Sequence, residues 1–109
     1  MNLYIDSTDN KKTILRIDDK EFIREVSSPR DQNIFGFIRE TIESEGLSPA
    51  SIASIEVNPG PGSFTGSRIG VTVANALAYS LGILVNGQKP PIEVVYSQGP
   101  SISTPKLKS

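Results

Sequence analysis

Between Arg68 and Lys89 the chain carries no charged side chain, and this constrains its fold more than any other feature. The uncharged run follows directly on a glycine-rich segment, "NPGPGSFTGSR" at 58–68. From Ser67 to about Leu81 the spacing predicts a long helix. Ile69, Val73, Ala76, Leu77 and Leu81 form its apolar face, beside a column of small residues, Gly70, Ala74 and Ala78, at i, i+4 and i+8. A helix that is apolar almost all round must be covered on more than one side. A chain of 109 residues has room for one core of ordinary size. One side of this helix is therefore expected to meet a partner chain. Gly82 stops the helix, and "ILVNG" (83–87) reads as a further strand.

Upstream, residues 3–5, 13–18 and 21–27 read as three strands of an antiparallel meander, separated by "DNKK" and a tight turn at Asp18-Asp19-Lys20. Pro29 breaks that pattern, and Asp31 is expected to cap a helix running to about Glu45, with Gly46 as its stop. Ile34, Phe35, Ile38 and Ile42 recur at helical spacing along it, and Phe37 widens the stripe. Ser48-Pro49 opens a short helical turn before a strand ending at Val57. The order is βββ-α-β-α-β, an α/β class. After Pro90-Pro91, residues 92–96 form a β-like run, and the Ser-, Pro- and Lys-rich remainder reads as a disordered end.

The glycine segment fits no standard nucleotide motif. Gly66 is followed by Ser67-Arg68, where a P-loop needs Lys. A dinucleotide fingerprint would need its third glycine at position 65, which is Thr. Gly-x-Ser-x-Gly is absent too. Two readings remain. One is a tight turn whose glycines adopt positive φ and whose hydroxyls close on themselves. The other is an anion site at a helix amino terminus, built from Gly60, Gly62, Ser63, Thr65, Gly66 and Arg68, with Asp6 after the first strand.

Composition removes several function classes. The chain has no histidine, the commonest general base and metal ligand, and no cysteine for a thiolate nucleophile, a disulfide or a sulfur-bound metal. Eleven Lys and Arg against twelve Asp and Glu give a net charge of −1, no basis for gripping nucleic acid by bulk charge. No stretch reads as a secretory signal or a membrane span, so a cytoplasmic location is expected.

"GPGSFTGSRIGVTVANALAYSLGI" (60–83) closely resembles the Gly-Pro-Gly-Ser-Phe-Thr-Gly-x-Arg-Ile-Gly signature of the TsaB (YeaZ) family, and "LYIDST" (3–8) is similar to that family's first strand. The family belongs to the bacterial machinery that makes N6-threonylcarbamoyladenosine in tRNA. The resemblance implies a single actin-like, ribonuclease-H-like lobe over 1–87, with a five-stranded mixed sheet and helices packed on it, and a tail over 88–109. It also implies a minimal form without the second lobe that family members carry. TsaB is not itself the catalyst, which implies no catalytic residue and no metal here. It implies a heterodimer with the TsaD-type subunit, in which a TsaE-type ATPase joins, and a homodimer when alone. ATP and magnesium belong to the wider complex, and no cofactor is expected on the lone chain. Carried onto this sequence, the contact surface is Ile34, Phe35, Ile38 and Ile42 with Gly70, Ala74, Leu77 and Ala78. The alternatives are a small phosphate- or ATP-binding enzyme fragment using Asp6 and the 60–66 turn, and a homodimeric module with a different partner.

Overall fold

A computed structural model of the chain describes residues 1–27 and 33–95. Its elements are β1 (Asn2–Asp6), β2 (Lys12–Ile17), β3 (Lys20–Glu25), α1 (Ile34–Ser44), a single 3-10 turn (Pro49–Ser51), β4 (Ser54–Val57) and α2 (Phe64–Leu81). The expected antiparallel meander forms. β1 and β2 pair antiparallel with Leu3 opposite Ile17 and Ile5 opposite Leu15, and β2 pairs with β3 across the two-residue connection Asp18-Asp19. Asp18 sits at φ 53, a left-handed conformation that aspartate tolerates better than most residues. β4 adds parallel to β1, giving the order β3-β2-β1-β4.

The period-two pattern sorts the two faces. Leu3, Ile5, Leu15, Ile17, Ile55 and Val57 are buried on one face, where they meet both helices. Each such aliphatic side chain contributes roughly 1.5–3 kcal/mol by leaving water. Opposite them lie Tyr4, Arg16 and Glu56. There the Arg16 guanidinium stacks 4.7 Å over the Tyr4 ring and pairs with Glu21 at 3.7 Å.

The expected fifth strand is not formed: the sheet has four strands. Val85 makes a single parallel bridge to Ile55, and the chain then turns away at Asn86 (φ 51) and Gly87 (φ 74). Asn86 explains why the ladder stops. Its side-chain amide takes the place of a strand backbone, accepting from the Val57 N–H at 2.8 Å and donating to the Val57 carbonyl at 3.0 Å. The edge of β4 is thus satisfied at Ile55 by the backbone of Leu84 and Asn86, and at Val57 by the Asn86 side chain instead of a further run of peptide.

The helices are anchored differently. Asn33 caps α1 by accepting from the Gly36 N–H at 3.0 Å; the expected cap, Asp31, lies outside the described residues, as does Pro29. Arg24 of β3 pairs with Glu40 and stacks 4.4 Å over Phe37, and Lys20 reaches Glu45 at 2.7 Å, so α1 lies along the β3 side of the sheet. α2 lies over β1 and β4. It begins at Phe64, earlier than the Ser67 start expected, because Ser63 is its cap and accepts from the Gly66 N–H at 3.2 Å. Both helices end on a glycine in the left-handed region, Gly46 at φ 73 and Gly82 at φ 68. The Leu47 and Ile83 N–H groups then bond back to Ile42 and Ala78, the closure that glycine at this position permits.

Candidate functional site

The glycine turn connects β4 to α2 and lies against the end of β1, held by short-range polar contacts. Beyond β4, the Asn58 N–H extends the ladder to the Ile5 carbonyl at 2.9 Å. The Asn58 side chain works both ways: its oxygen accepts from the Gly60 N–H at 3.1 Å, and its amide donates to Asp6 at 3.2 Å. Gly60 stands at φ 107, a conformation that favours glycine. Gly62 lies so close to Thr8 that a Cβ there would collide with it, and the Ser63 N–H donates to the Thr8 carbonyl at 2.6 Å. Ser7, fully buried, donates to the Gly66 carbonyl at 2.7 Å, and a Cβ on Gly70 would strike its hydroxyl. Gly62 and Gly70 are therefore used for close approach to Thr8 and Ser7.

Asp6 is the centre of this network. One carboxylate oxygen accepts from the Thr8 N–H at 3.0 Å and the Thr8 hydroxyl at 2.7 Å; the other accepts from Asn58 and, at 3.3 Å, from the Tyr4 hydroxyl. Partial burial pushes the Asp6 carboxyl up, but these donors, led by Thr8, outweigh it and hold the group below the usual aspartate range. The Tyr4 hydroxyl is pushed up, first by its own burial and then by the neighbouring Asp6 charge. Asp6 is a carboxylate committed to tying three segments together.

The residues expected to form the anion site thus divide. Asp6, Gly60, Gly62, Ser63 and Gly66 are brought together, but the bonds and close contacts they make among the described residues are internal. Thr65 and Arg68 are exposed on α2, with the Arg68 guanidinium 5.1 Å over the Phe64 ring. Among the described residues no three or more His, Cys, Asp or Glu side chains come together to hold a metal. Sequence reasoning missed Asn58, whose signal was an asparagine before Pro-Gly, a place where its side chain commonly bonds the backbone two residues on.

The expected contact surface needs a larger correction. Ile34, Ile38, Ile42, Gly70, Ala74 and Ala78 are buried in the chain's own core, against the sheet and between the helices. Leu77 is half-buried at its margin, and Phe35 stands out at 59% exposed. The small column lets α2 approach β1 and β4 closely, and that closeness accounts for the residue sizes. The outward face of α2 is carried by other positions: Thr65, Arg68, Thr72, Ala76 and Tyr79 are exposed, with Ile69 and Val73 half-buried beside them. Thr65, Arg68, Ile69, Thr72 and Val73 line a shallow depression of about 290 Å³. Phe64, at 58% exposed, and Tyr79, at 81%, stand on the same helix. No helix among the described residues is long and apolar enough to cross a membrane.

Known proteins match this arrangement of glycine turn, short parallel strand and small-residue helix. A family model described as "TsaD: tRNA N6-adenosine threonylcarbamoyltransferase" matches residues 24–87, which include α1, β4, the turn and α2. The Bacillus subtilis (strain 168) tRNA threonylcarbamoyladenosine biosynthesis protein TsaB is 50% identical over 40 residues, 37% of this chain and 18% of that protein. Among solved structures, YeaZ from Pseudomonas aeruginosa superposes with a TM-score of 0.64 at 25% identity, covering 77% of this chain and 41% of YeaZ. A second structure, an uncharacterized protein with similarity to peptidase YeaZ from Pseudomonas aeruginosa, gives 0.63 at 25% identity over 77% of this chain and 40% of that one. The matched region is less than half the length of each of these relatives. The chain belongs to the family described as tRNA N6-adenosine threonylcarbamoyltransferase (TsaD), and within it resembles TsaB (YeaZ).

Proposed function

We propose that this chain is a non-catalytic subunit in threonylcarbamoyladenosine modification of tRNA, and that it docks a TsaD-type subunit through the outward face of α2 and Phe35 of α1. The observation that carries this reading is that outward face, where apolar and small side chains stand exposed along a helix with no charge between Arg68 and Lys89. Exposed aromatics at Phe35, Phe64 and Tyr79 are the side-chain type that anchors interfaces. The internal commitment of Asp6 and of the glycine turn supports a structural role for the loop. On this reading ATP and magnesium act in the wider complex, a TsaE-type ATPase joins it, and the lone chain pairs with itself in the cytoplasm.

The test is to mix the chain with a TsaD-type subunit and measure the complex by size exclusion with light scattering. A heterodimer is expected, lost on Ala76→Arg while the far-ultraviolet circular dichroism is unchanged. No complex, or one indifferent to both Ala76→Arg and Thr72→Arg, sinks the reading. Self-association that survives without any TsaD complex would favour a homodimeric module with another partner. Calorimetric binding of ATP and magnesium by the lone chain would favour a phosphate-binding enzyme. Reconstituted tRNA modification with and without the chain then reads the function directly.

A further inference from the structure

Past its bridge to Ile55 the chain turns back and runs along the flank of α2. Over residues 92–95, Ile92 and Val94 pack against the core and Glu93 and Val95 are exposed. Few bonds hold them. Asn75 of α2 grips Ile92 with both ends of its side-chain amide, accepting from the Ile92 N–H at 2.9 Å and donating to the Ile92 carbonyl at 3.0 Å. The Val95 N–H donates to the Pro59 carbonyl at 2.7 Å. The Val95 carbonyl then lies on the face of Gly60 where a side chain would stand, and the Ser67 hydroxyl borders the same face. Ser67 is 1% exposed, and its hydroxyl has no hydrogen-bond partner among the described residues. A buried hydroxyl left without a partner costs stability, so this corner is closed at an energetic disadvantage.

We propose that residues 92–95 are a latch, closed in this structure, whose opening exposes Gly60 and the Ser67 hydroxyl beneath the first turns of α2. Three features carry the assignment. The latch is attached through main-chain groups at its two ends, so it opens as a unit without rupture of the helix or the sheet. It follows Pro90-Pro91, a segment that joins no ladder. Opening returns an unpaired hydroxyl to water, which offsets part of the cost of exposing Ile92 and Val94. The inference does not depend on which partner α2 meets, so its failure and that of the docking proposal are separate results.

The absence of cysteine from the sequence makes the test direct. In the full chain, a thiol introduced by Ser67→Cys reports access to the floor beneath the latch, and one introduced by Thr41→Cys, buried on α1, reports opening elsewhere. Adding Asn75→Ala or Val95→Pro is expected to speed labelling of the Ser67→Cys thiol roughly tenfold or more and that of the Thr41→Cys thiol by less than about twofold, the signature of local opening. Unchanged Ser67→Cys labelling, or equal acceleration at both positions, overturns the proposal. Should Ser67→Cys fail to fold, hydrogen exchange of the Val95 amide in Asn75→Ala gives the answer. Val95 is not bonded by Asn75, so faster exchange there supports a latch moving as one piece, and unchanged exchange overturns it.

Discussion

The two faces of α2 are built from side chains of similar size and do opposite work. Inward, Gly66, Gly70, Ala74 and Ala78 are buried, and Gly70 approaches Ser7 so closely that no Cβ fits. Outward, Thr65, Thr72 and Ala76 are as small or nearly so, yet they stand in solvent beside Arg68 and Tyr79. A column of small residues announces that something approaches closely; it does not say whether that neighbour is a partner chain or the chain's own sheet. Here it is the sheet, and the residues left facing outward follow a weaker pattern.

The sharpest way to break this contrast is to put a charge on the inner face. Ala74 is fully buried, and Ala74→Arg forces an unpaired guanidinium into the core, a change expected to cost more than about 4 kcal/mol and abolish cooperative unfolding. Urea denaturation followed by circular dichroism reads it. A variant that still folds would mean α2 packs less tightly than its burial indicates.

Next in size is the contact between Gly70 and Ser7. Gly70→Ala places a methyl against the Ser7 hydroxyl and is expected to cost roughly 1–3 kcal/mol by overpacking. Ser7→Ala removes the bond to the Gly66 carbonyl but also makes room. The double variant is therefore expected to lose less than the sum of the two single changes, with a coupling of about 0.5 kcal/mol or more. Strict additivity in a double-mutant cycle would show that the two residues do not press on each other.

Acid tests the network that holds the glycine turn on that inner face. Because the Asp6 pKa is lowered on folding, its ionised form is the one that stabilises. That contribution is complete above the unfolded aspartate value of about 4 and is lost as the pH falls through the lower folded value. Asp6→Asn, compared with the wild type by urea denaturation, is expected to show its largest deficit near neutral pH and a shrinking one below pH ~4. An equal deficit at both ends would mean that the carboxylate charge contributes nothing.

Much of this fold was legible because its signals are local. Three strand runs separated by turn residues read as the meander that forms, and Gly46 and Gly82 marked helix ends that the left-handed turns confirm; the apolar pairs in 13–17 left open which face is buried, and the structure buries Thr13, Leu15 and Ile17. The failures share a different cause. Asn58, Asn75 and Asn86 each use a side-chain amide to satisfy backbone, and for Asn75 and Asn86 that backbone is distant in sequence, so no spacing pattern announces the bond. Asn86 is why an apolar run that reads as a fifth strand stops at one bridge. The glycine turn was legible as a tight turn, but its commitment to Asp6, Ser7 and Thr8 depends on β1 and β4 lying side by side. Most residues expected at a contact surface lie instead in the chain's own core, because amphipathic spacing fixes which residues share a face and leaves open which face turns inward.

The smallest effect on stability is expected where the docking proposal needs the largest effect on binding. Ala76 is exposed on the outward face of α2 and carries no hydrogen-bonded side chain. Arginine is a good helix former, so Ala76→Arg is expected to change unfolding free energy by no more than about 0.5 kcal/mol. The same guanidinium would stand in the middle of any surface packed onto Ile69, Thr72 and Val73, where an unpaired buried charge is strongly unfavourable. A chain that keeps its urea midpoint but loses its partner separates the two faces of α2 by function. A shifted midpoint would instead show that Ala76 helps hold the lobe together, and the contrast between the faces would have to be redrawn.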